Sequence, residues 1–224
     1  MDLFAVSSRD QQHALLELLK EIISIFWGPD LQKCSEILQK PFLDSIDKLA
    51  AQTDFWNFET LTEIKSVLNR FTSAEGLFHH LEEAYVRLFV SDRKGVTAPL
   101  YASCYETITS GEKALLMGAP AIDMKKRFES KGLSLSNEIH EPPDHISIEL
   151  EYLYFLLDKG WSDNDQDLIK EASSFTADVM LPWVSRFQTR LAAEKKCRFY
   201  PLMASMLKEI LEIIAGSNPG FEKG

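Results

Sequence analysis

Apolar residues recur along this chain at intervals of three and four positions, and this helical period is what most constrains its fold. The first clear example runs from Leu15 to Phe26, where six large apolar side chains follow that spacing. Such spacing places them on one face of an α-helix. The alternation typical of a half-buried strand is nearly absent, so the sequence predicts an all-α protein.

Turn-forming residues divide these apolar stripes into about ten helices. Gly28 and Pro29 separate a first helix over 9–26 from a second over 31–38, with Asp30 as its N-cap. Thr72 and Glu75 have the spacing of a capping box, and Gly160 is placed in a loop. The remaining predicted helices cover about 41–51, 59–71, 72–89, 111–116, 120–130, 143–159, 165–180, 182–193 and 201–215.

Short connections between these helices predict one compact domain. The chain has 224 residues, which is enough to bury a sizeable core. We expect a single helical domain over residues 1–216 and a flexible tail over 217–224. The polar connection over 133–143 is a possible hinge.

Charge and cysteine content narrow the function classes. The formal net charge of −10 opposes binding to nucleic acid and to anionic membranes, and it favours basic partners. The three cysteines are far apart and form no C-x-x-C pair, so neither a disulfide framework nor a zinc site is indicated. The apolar run that ends at Trp27 is too short to cross a bilayer. A cytoplasmic protein without stable membrane insertion is the expected class.

Motifs of the common catalytic sites are missing. The sequence contains no glycine-rich phosphate loop, G-x-S-x-G, H-E-x-x-H or EF-hand loop. His145 and Glu149 are four positions apart on a predicted helix, so a metal-binding protein or an enzyme that uses this pair is the alternative hypothesis. Two ligands are few for a metal site. Asp144 suits the positive end of a helix dipole, but that does not explain why a histidine should follow it.

Residues 141–152, EPPDHISIELEY, resemble the E-P-x-D-H-x-x-x-E-L signature of the TorD/DmsD chaperones, which are related to NarJ. Three further segments, 83–90, 98–105 and 181–187, are similar to other parts of that family in the same order. The chain departs from the family pattern at Ala84, where a glutamate is usual, and at Val179, where a histidine is usual.

This resemblance implies an all-helical cytoplasmic chaperone that is not an enzyme. Its partner would be the precursor of a molybdopterin-containing oxidoreductase, bound by its twin-arginine signal peptide, by the apoenzyme, or by both. Export would be delayed until the cofactor is inserted. The resemblance implies no cofactor beyond weak guanine-nucleotide binding, for which no motif is visible. A monomer and a dimer that exchanges helical segments both stay open.

A twin-arginine leader has a basic start and an apolar middle, so its receptor needs an apolar groove with carboxylates at one end. The resemblance implies that Asp144 and His145 belong to the peptide-binding region and that Pro99, Tyr101, Ser103 and Tyr105 line its neighbouring wall. For the charged end we expect Asp144, Glu141 and Glu149, and for the aromatic and apolar wall Tyr85, Phe89, Leu100, Tyr101 and Tyr105. Alternative interpretations accompany some of these residues. Phe89 has the helical spacing of a core residue. Glu149 could pair with His145 on the helix surface. Tyr101 and Tyr105 lie in an irregular stretch, which favours exposure.

Overall fold

The computed structural model describes residues 8–39, 58–91, 95–106 and 117–216, and the regular structure in these ranges is helical. An isolated antiparallel bridge between Tyr101 and His145 is the only strand-like pairing in the described part. The all-α prediction is therefore confirmed. The helices predicted over 41–51 and 111–116 and the tail predicted over 217–224 lie outside the described residues.

Nine α-helices are described in these ranges. They are α1 Arg9–Phe26, α2 Leu31–Leu38, α3 Phe58–Leu68, α4 Ala74–Tyr85, α5 Ala119–Ser130, α6 Ile146–Ser162, α7 Gln166–Phe175, α8 Leu181–Leu191 and α9 Phe199–Ile214. A π-helical turn, Val86–Val90, extends α4, and a second, Thr176–Met180, joins α7 to α8. A 3-10 turn spans Ala102–Tyr105. The predicted bounds of α1 and α2 agree with these positions.

Side-chain caps explain where two early helices begin. Asp30 accepts a hydrogen bond from the backbone N–H of Lys33 at 2.8 Å, as predicted for the N-cap of α2. The prediction that Thr72 caps α4 is wrong. Ser73 is the cap, because its extended backbone lets its hydroxyl accept the N–H of Gly76 at 3.2 Å.

Helix α6 lies at the centre of the packing and positions the residues of the recognised motif. α1 and α7 both pack against it, while α9 packs against α8 and α3. The first five residues of α6, Ile146 to Leu150, are all buried. A helix that is buried on every side of its first turn must satisfy its polar groups internally.

Gly160 belongs to α6, so the prediction that it starts a loop is wrong. A Cβ at this position would lie 2.5 Å from Cδ1 of Ile169 in α7. Gly160 therefore permits the close approach of two helices, and α6 continues to Ser162.

The connection over 133–143 is partly packed on the core. Gly132 has φ 68°, and the N–H of Leu133 donates to the carbonyl of Phe128 at 2.9 Å, which closes the end of α5. Leu133, Leu135 and Ile139 contact the core. A hinge in this connection stays a prediction.

Candidate functional site

His145 is itself the N-cap of α6. Its Nδ1 accepts a hydrogen bond from the backbone N–H of Ser147 at 3.2 Å, and Ile146 is the first helical residue. Burial lowers the pKa of His145 to about 4, against the opposing charges of Glu141 and Asp144. The imidazole is thus neutral at physiological pH and serves as a hydrogen-bond acceptor. This explains why a histidine can stand at the positive end of a helix.

Two aromatic rings enclose the imidazole of His145. The indole of Trp27 stacks on it, with ring centroids 4.8 Å apart and planes 15° apart. The ring of Tyr101 meets it edge to face at 5.3 Å. Only 2% of His145 is exposed, so this side chain connects the end of α1 to the segment before the 3-10 turn.

Hydrogen bonds to Asp144 join the 3-10 turn to the start of α6. Its Oδ2 accepts the N–H of Ser103 at 2.9 Å, and its backbone carbonyl accepts the N–H of Ala102 at 3.0 Å. The N–H of Ile146 donates to the carbonyl of Leu100 at 2.8 Å. These bonds join two segments about forty positions apart in sequence, and Asp144 has no exposed surface.

Glu149 is also fully buried, so the interpretation that it pairs with His145 on the helix surface is wrong. Its Oε2 accepts the indole N–H of Trp183 at 2.9 Å. Burial raises the pKa of this carboxyl well above its usual value, against the lowering effect of the bond from Trp183. The carboxyl group is directed at Trp183 of α8 and does not lie on the surface as expected.

The metal hypothesis gains no third ligand. Nδ1 of His145 accepts the backbone N–H of Ser147, and Oε2 of Glu149 accepts the indole N–H of Trp183, so these two atoms have different partners. In the described ranges, no group of three or more His, Cys, Asp or Glu residues could hold a metal ion.

Two of the predicted wall residues are core residues. Phe89 is 5% exposed and contacts the rings of Phe26 and Phe187. Tyr105 is 4% exposed, so the expectation that its irregular segment leaves it accessible is wrong. Its hydroxyl donates to the carbonyl of Pro99 at 2.8 Å, and its ring packs against Trp183. An irregular backbone is compatible with burial because these local bonds satisfy its polar groups.

Three of the buried polar side chains near the turn keep an acceptor or hydroxyl without a hydrogen-bond partner. They are Ser103 through Oγ, Asp144 through Oδ1 and Glu149 through Oε1. All three residues have no exposed surface. In this conformation a bound peptide cannot contact them, so their part in peptide binding stays a prediction that needs the turn to open.

A half-exposed polar and aromatic edge remains beside the turn. The hydroxyl of Tyr101 donates to Oε2 of Glu141 at 2.6 Å. Burial, together with this carboxylate, raises the pKa of Tyr101. Tyr85 lies near enough for the charge of Glu141 to add to the effect of burial, which raises the pKa of Tyr85 to about 12. Tyr101, Glu141 and Tyr85, with the half-buried Pro99, are the predicted site residues that reach the surface.

An open groove of about 420 Å³ includes Trp27, the ring that stacks on His145, in its wall. Its walls are formed by residues of α1, the start of α2 and α6, namely Lys20, Ile23, Ser24, Trp27, Lys33, Glu151 and Tyr154. The indole N–H of Trp27 donates to Oε1 of Glu151 at 3.1 Å. This bond fixes a ring that both lines the groove and stacks on His145.

Sequence reasoning missed the groove residues. Glu151 and Tyr154 lie three positions apart on the motif helix, and Trp27 ends the apolar stripe of α1. Those signals were available, but the meeting of Trp27 with Glu151 depends on a contact 124 positions apart in sequence. The two ammonium groups at the groove have carboxylate partners, Glu17 for Lys20 and Asp30 for Lys33.

No helix of the described residues is long and apolar enough to cross a membrane.

Comparisons with known proteins agree with this architecture. The chaperone protein TorD of Photobacterium profundum is 27% identical over 161 residues, which are 70% of this chain and 72% of that protein. The chaperone protein TorD of Vibrio atlanticus is 28% identical over 196 residues, 82% of this chain and 87% of the relative. These matches confirm the resemblance to the TorD/DmsD chaperones.

A solved structure has a similar fold. The crystal structure of an Archaeoglobus fulgidus protein assigned to redox enzyme maturation covers 92% of this chain and 96% of its own, with a TM-score of 0.52 and 22% identity. The model of a family described as nitrate reductase delta subunit matches residues 57–189, more than half of the chain. The chain is similar to the two TorD chaperones named above. By the match of the family model, it belongs to the nitrate reductase delta subunit family.

Proposed function

We propose that this chain is a non-catalytic cytoplasmic chaperone for a molybdopterin-containing oxidoreductase. It binds the twin-arginine leader of the precursor and delays export until the cofactor is in place. Family membership supports the chaperone class. The observation that carries the leader-binding role is the open groove whose wall includes Trp27, the ring that also stacks on His145.

The groove suits the apolar middle of a leader. Ile23, Trp27 and Tyr154 give it an aliphatic and aromatic wall. A leucine or phenylalanine side chain fully buried there would contribute about 1.5–3 kcal/mol. Trp27 is already held by Glu151 and His145, so little side-chain entropy is lost when the peptide packs on it.

The carboxylates of Glu141 and Glu151 suit the two arginines. Glu141 is half-buried beside Tyr101, and Glu151 is exposed at the groove rim. Trp27 and His145 lie between them, so the two acids flank one aromatic cluster. Each partly exposed arginine–carboxylate contact is worth about 0.5–1.5 kcal/mol, which corresponds to about two- to tenfold in affinity.

The buried residues of the turn have a supporting role in this proposal. Asp144 holds the 3-10 turn, and His145 holds Trp27 and Tyr101 on its two faces. Replacing either residue would displace the rings that the peptide contacts.

Calorimetric titration with a synthetic twin-arginine leader tests the proposal. We expect Glu141→Gln and Glu151→Gln each to weaken binding about two- to tenfold, with circular dichroism unchanged. Glu138→Gln, at an exposed position in the preceding connection, is the matched control and should bind as the wild type does. A leader with both arginines replaced by glutamine should lose most of its affinity. If the wild type binds both leaders with equal affinity, the proposed recognition of the arginines is wrong. If the arginine-free leader binds weakly but Glu141→Gln and Glu151→Gln bind the normal leader as the wild type does, the proposed site is wrong.

A further inference from the structure

The groove at Trp27 has two different ends because α1 and α6 run in opposite directions along it. At one end, Lys20 of α1 lies over the ring of Tyr154 at 5.4 Å. At the other, Trp27, seven positions later in α1, meets His145 and Glu151, which precede Tyr154 in the chain. Seven residues of an α-helix span about 10 Å. These are called the Lys20 end and the Trp27 end of the groove.

Carboxylates give the Trp27 end a negative charge. Glu141 and Glu151 each accept a hydrogen bond from an uncharged donor, a tyrosine hydroxyl or the indole N–H of Trp27, so both keep their charge. Lys33 also lines the groove, but Asp30 pairs with it at 3.3 Å. The charges of that ion pair balance, so the two glutamates determine the sign of this end.

Lys20 places a cation at the opposite end. Its side chain is 52% exposed, and its ammonium group pairs with Glu17, one turn earlier in α1, at 2.7 Å. Chiefly through its hydrogen bond to Glu17, the pKa of Lys20 is raised, so the ammonium group is charged at physiological pH. Lys20 lines the groove and Glu17 lies outside its walls, so a peptide in the groove meets the cation of this pair first.

From this polarity we infer that the groove binds the leader in one direction only, an inference that rests on the proposed function. The arginines lie at the Trp27 end, and the apolar middle runs along α1 toward Lys20. In the reverse direction the arginines would meet an ammonium group, and Glu141 and Glu151 would face apolar residues. Lys20 therefore determines specificity, because it selects a peptide whose positive charge precedes its apolar stretch.

The length of the groove determines which residue of the leader reaches Lys20. A span of about 10 Å corresponds to about three residues of an extended peptide or about seven residues of a helix. A charge placed three or seven positions after the second arginine should therefore interact with Lys20.

A double-mutant cycle measured by calorimetric titration tests the direction. Leaders with lysine or glutamate at one of these two positions are titrated into the wild type and Lys20→Glu. The wild type should prefer the glutamate leader and the variant the lysine leader, so the ratio of the two affinities should change by about fivefold or more at one of the positions. Lys20→Gln should give an intermediate ratio. Lys125→Glu reverses an exposed lysine of α5 that also has a glutamate on its own helix, and it should leave the ratio unchanged.

Either of two results would overturn the inferred direction. One is a ratio that Lys20→Glu leaves unchanged at both positions. The other is a stronger coupling of the arginine pair to position 20 than to Glu151, measured with the leader in which both arginines are glutamine. The wild type's preference for the arginine leader over that glutamine leader tests the proposed function separately. If this preference is absent, function and direction both fail, and if it is present while the cycle fails, only the direction is wrong.

Discussion

Replacing Glu149 by glutamine should change how folding stability depends on pH. Glu149 is wholly buried, and its pKa is raised well above 4.5 chiefly by that burial. Above pH 4.5 the folded chain keeps a proton that the unfolded chain releases. The contribution of Glu149 to stability is therefore fully present below pH 4.5 and is lost as the pH rises toward the folded pKa.

One proton sets the size of this effect. The free energy of unfolding should fall by about 1.4 kcal/mol per pH unit in this window because of Glu149 alone. Glu149→Gln has no proton to release and loses that slope. The variant should therefore gain about 1.4 kcal/mol per pH unit relative to the wild type, whatever its offset at one pH.

The contribution of His145 to stability changes with pH in the opposite direction, so the effect of Glu149 must be read from the difference between wild type and variant. Its pKa is lowered from 6.5 to about 4, chiefly by burial. Its contribution is present above pH 6.5 and is lost as the pH falls through about 4. In the wild type, the slopes of His145 and Glu149 oppose each other between pH 4.5 and 6.5. Both proteins carry His145, so its effect cancels in their difference.

Urea unfolding measured from about pH 5 to about pH 8 gives this difference directly. Glu138→Gln, in which an exposed carboxyl is removed, should follow the wild type at every pH. Parallel curves for the wild type and Glu149→Gln would refute the raised pKa of this buried carboxyl.

Two further stability predictions concern helix packing and capping, and both are measured by thermal or urea unfolding. Gly160→Ala should destabilise the folded chain by about 1–3 kcal/mol because its Cβ would lie 2.5 Å from Cδ1 of Ile169. Gly76→Ala, in an open helical position, should instead stabilise the folded chain by about 0.5–1 kcal/mol. His145→Ala should lower the free energy of unfolding by about 2–4 kcal/mol because it removes a helix cap and a buried ring. His140→Ala, on the surface, should change it by less than about 0.5 kcal/mol. Equal effects within either pair would contradict the corresponding reasoning.

Local sequence signals predicted the helices well because helix formation follows local spacing. The stripe from Leu15 to Phe26 and the cap at Asp30 located α1 and α2 without knowledge of any partner helix. Gly160 misled the prediction because its role depends on Ile169 in the next helix. In the sequence, a glycine that starts a loop looks the same as a glycine that permits close contact between two helices.

The motif located the candidate site, but sequence could not predict which of its side chains reach the surface. Asp144 is buried against Ser103, which lies 41 positions earlier and donates to it, and Glu149 is buried against Trp183, which α8 brings to it. These contacts connect segments with independent local patterns. The accessible groove at Trp27 likewise arises where α1 meets α6.

Photo-crosslinking tests most directly whether the groove receives the leader. A twin-arginine leader with a photoreactive side chain in its apolar middle is irradiated with the protein, and the linked residues are identified by mass spectrometry. The account predicts links to Ile23, Trp27 and Tyr154, which an excess of unlabelled leader suppresses. Competed links confined to α8 and α9, with none in the groove, would contradict it.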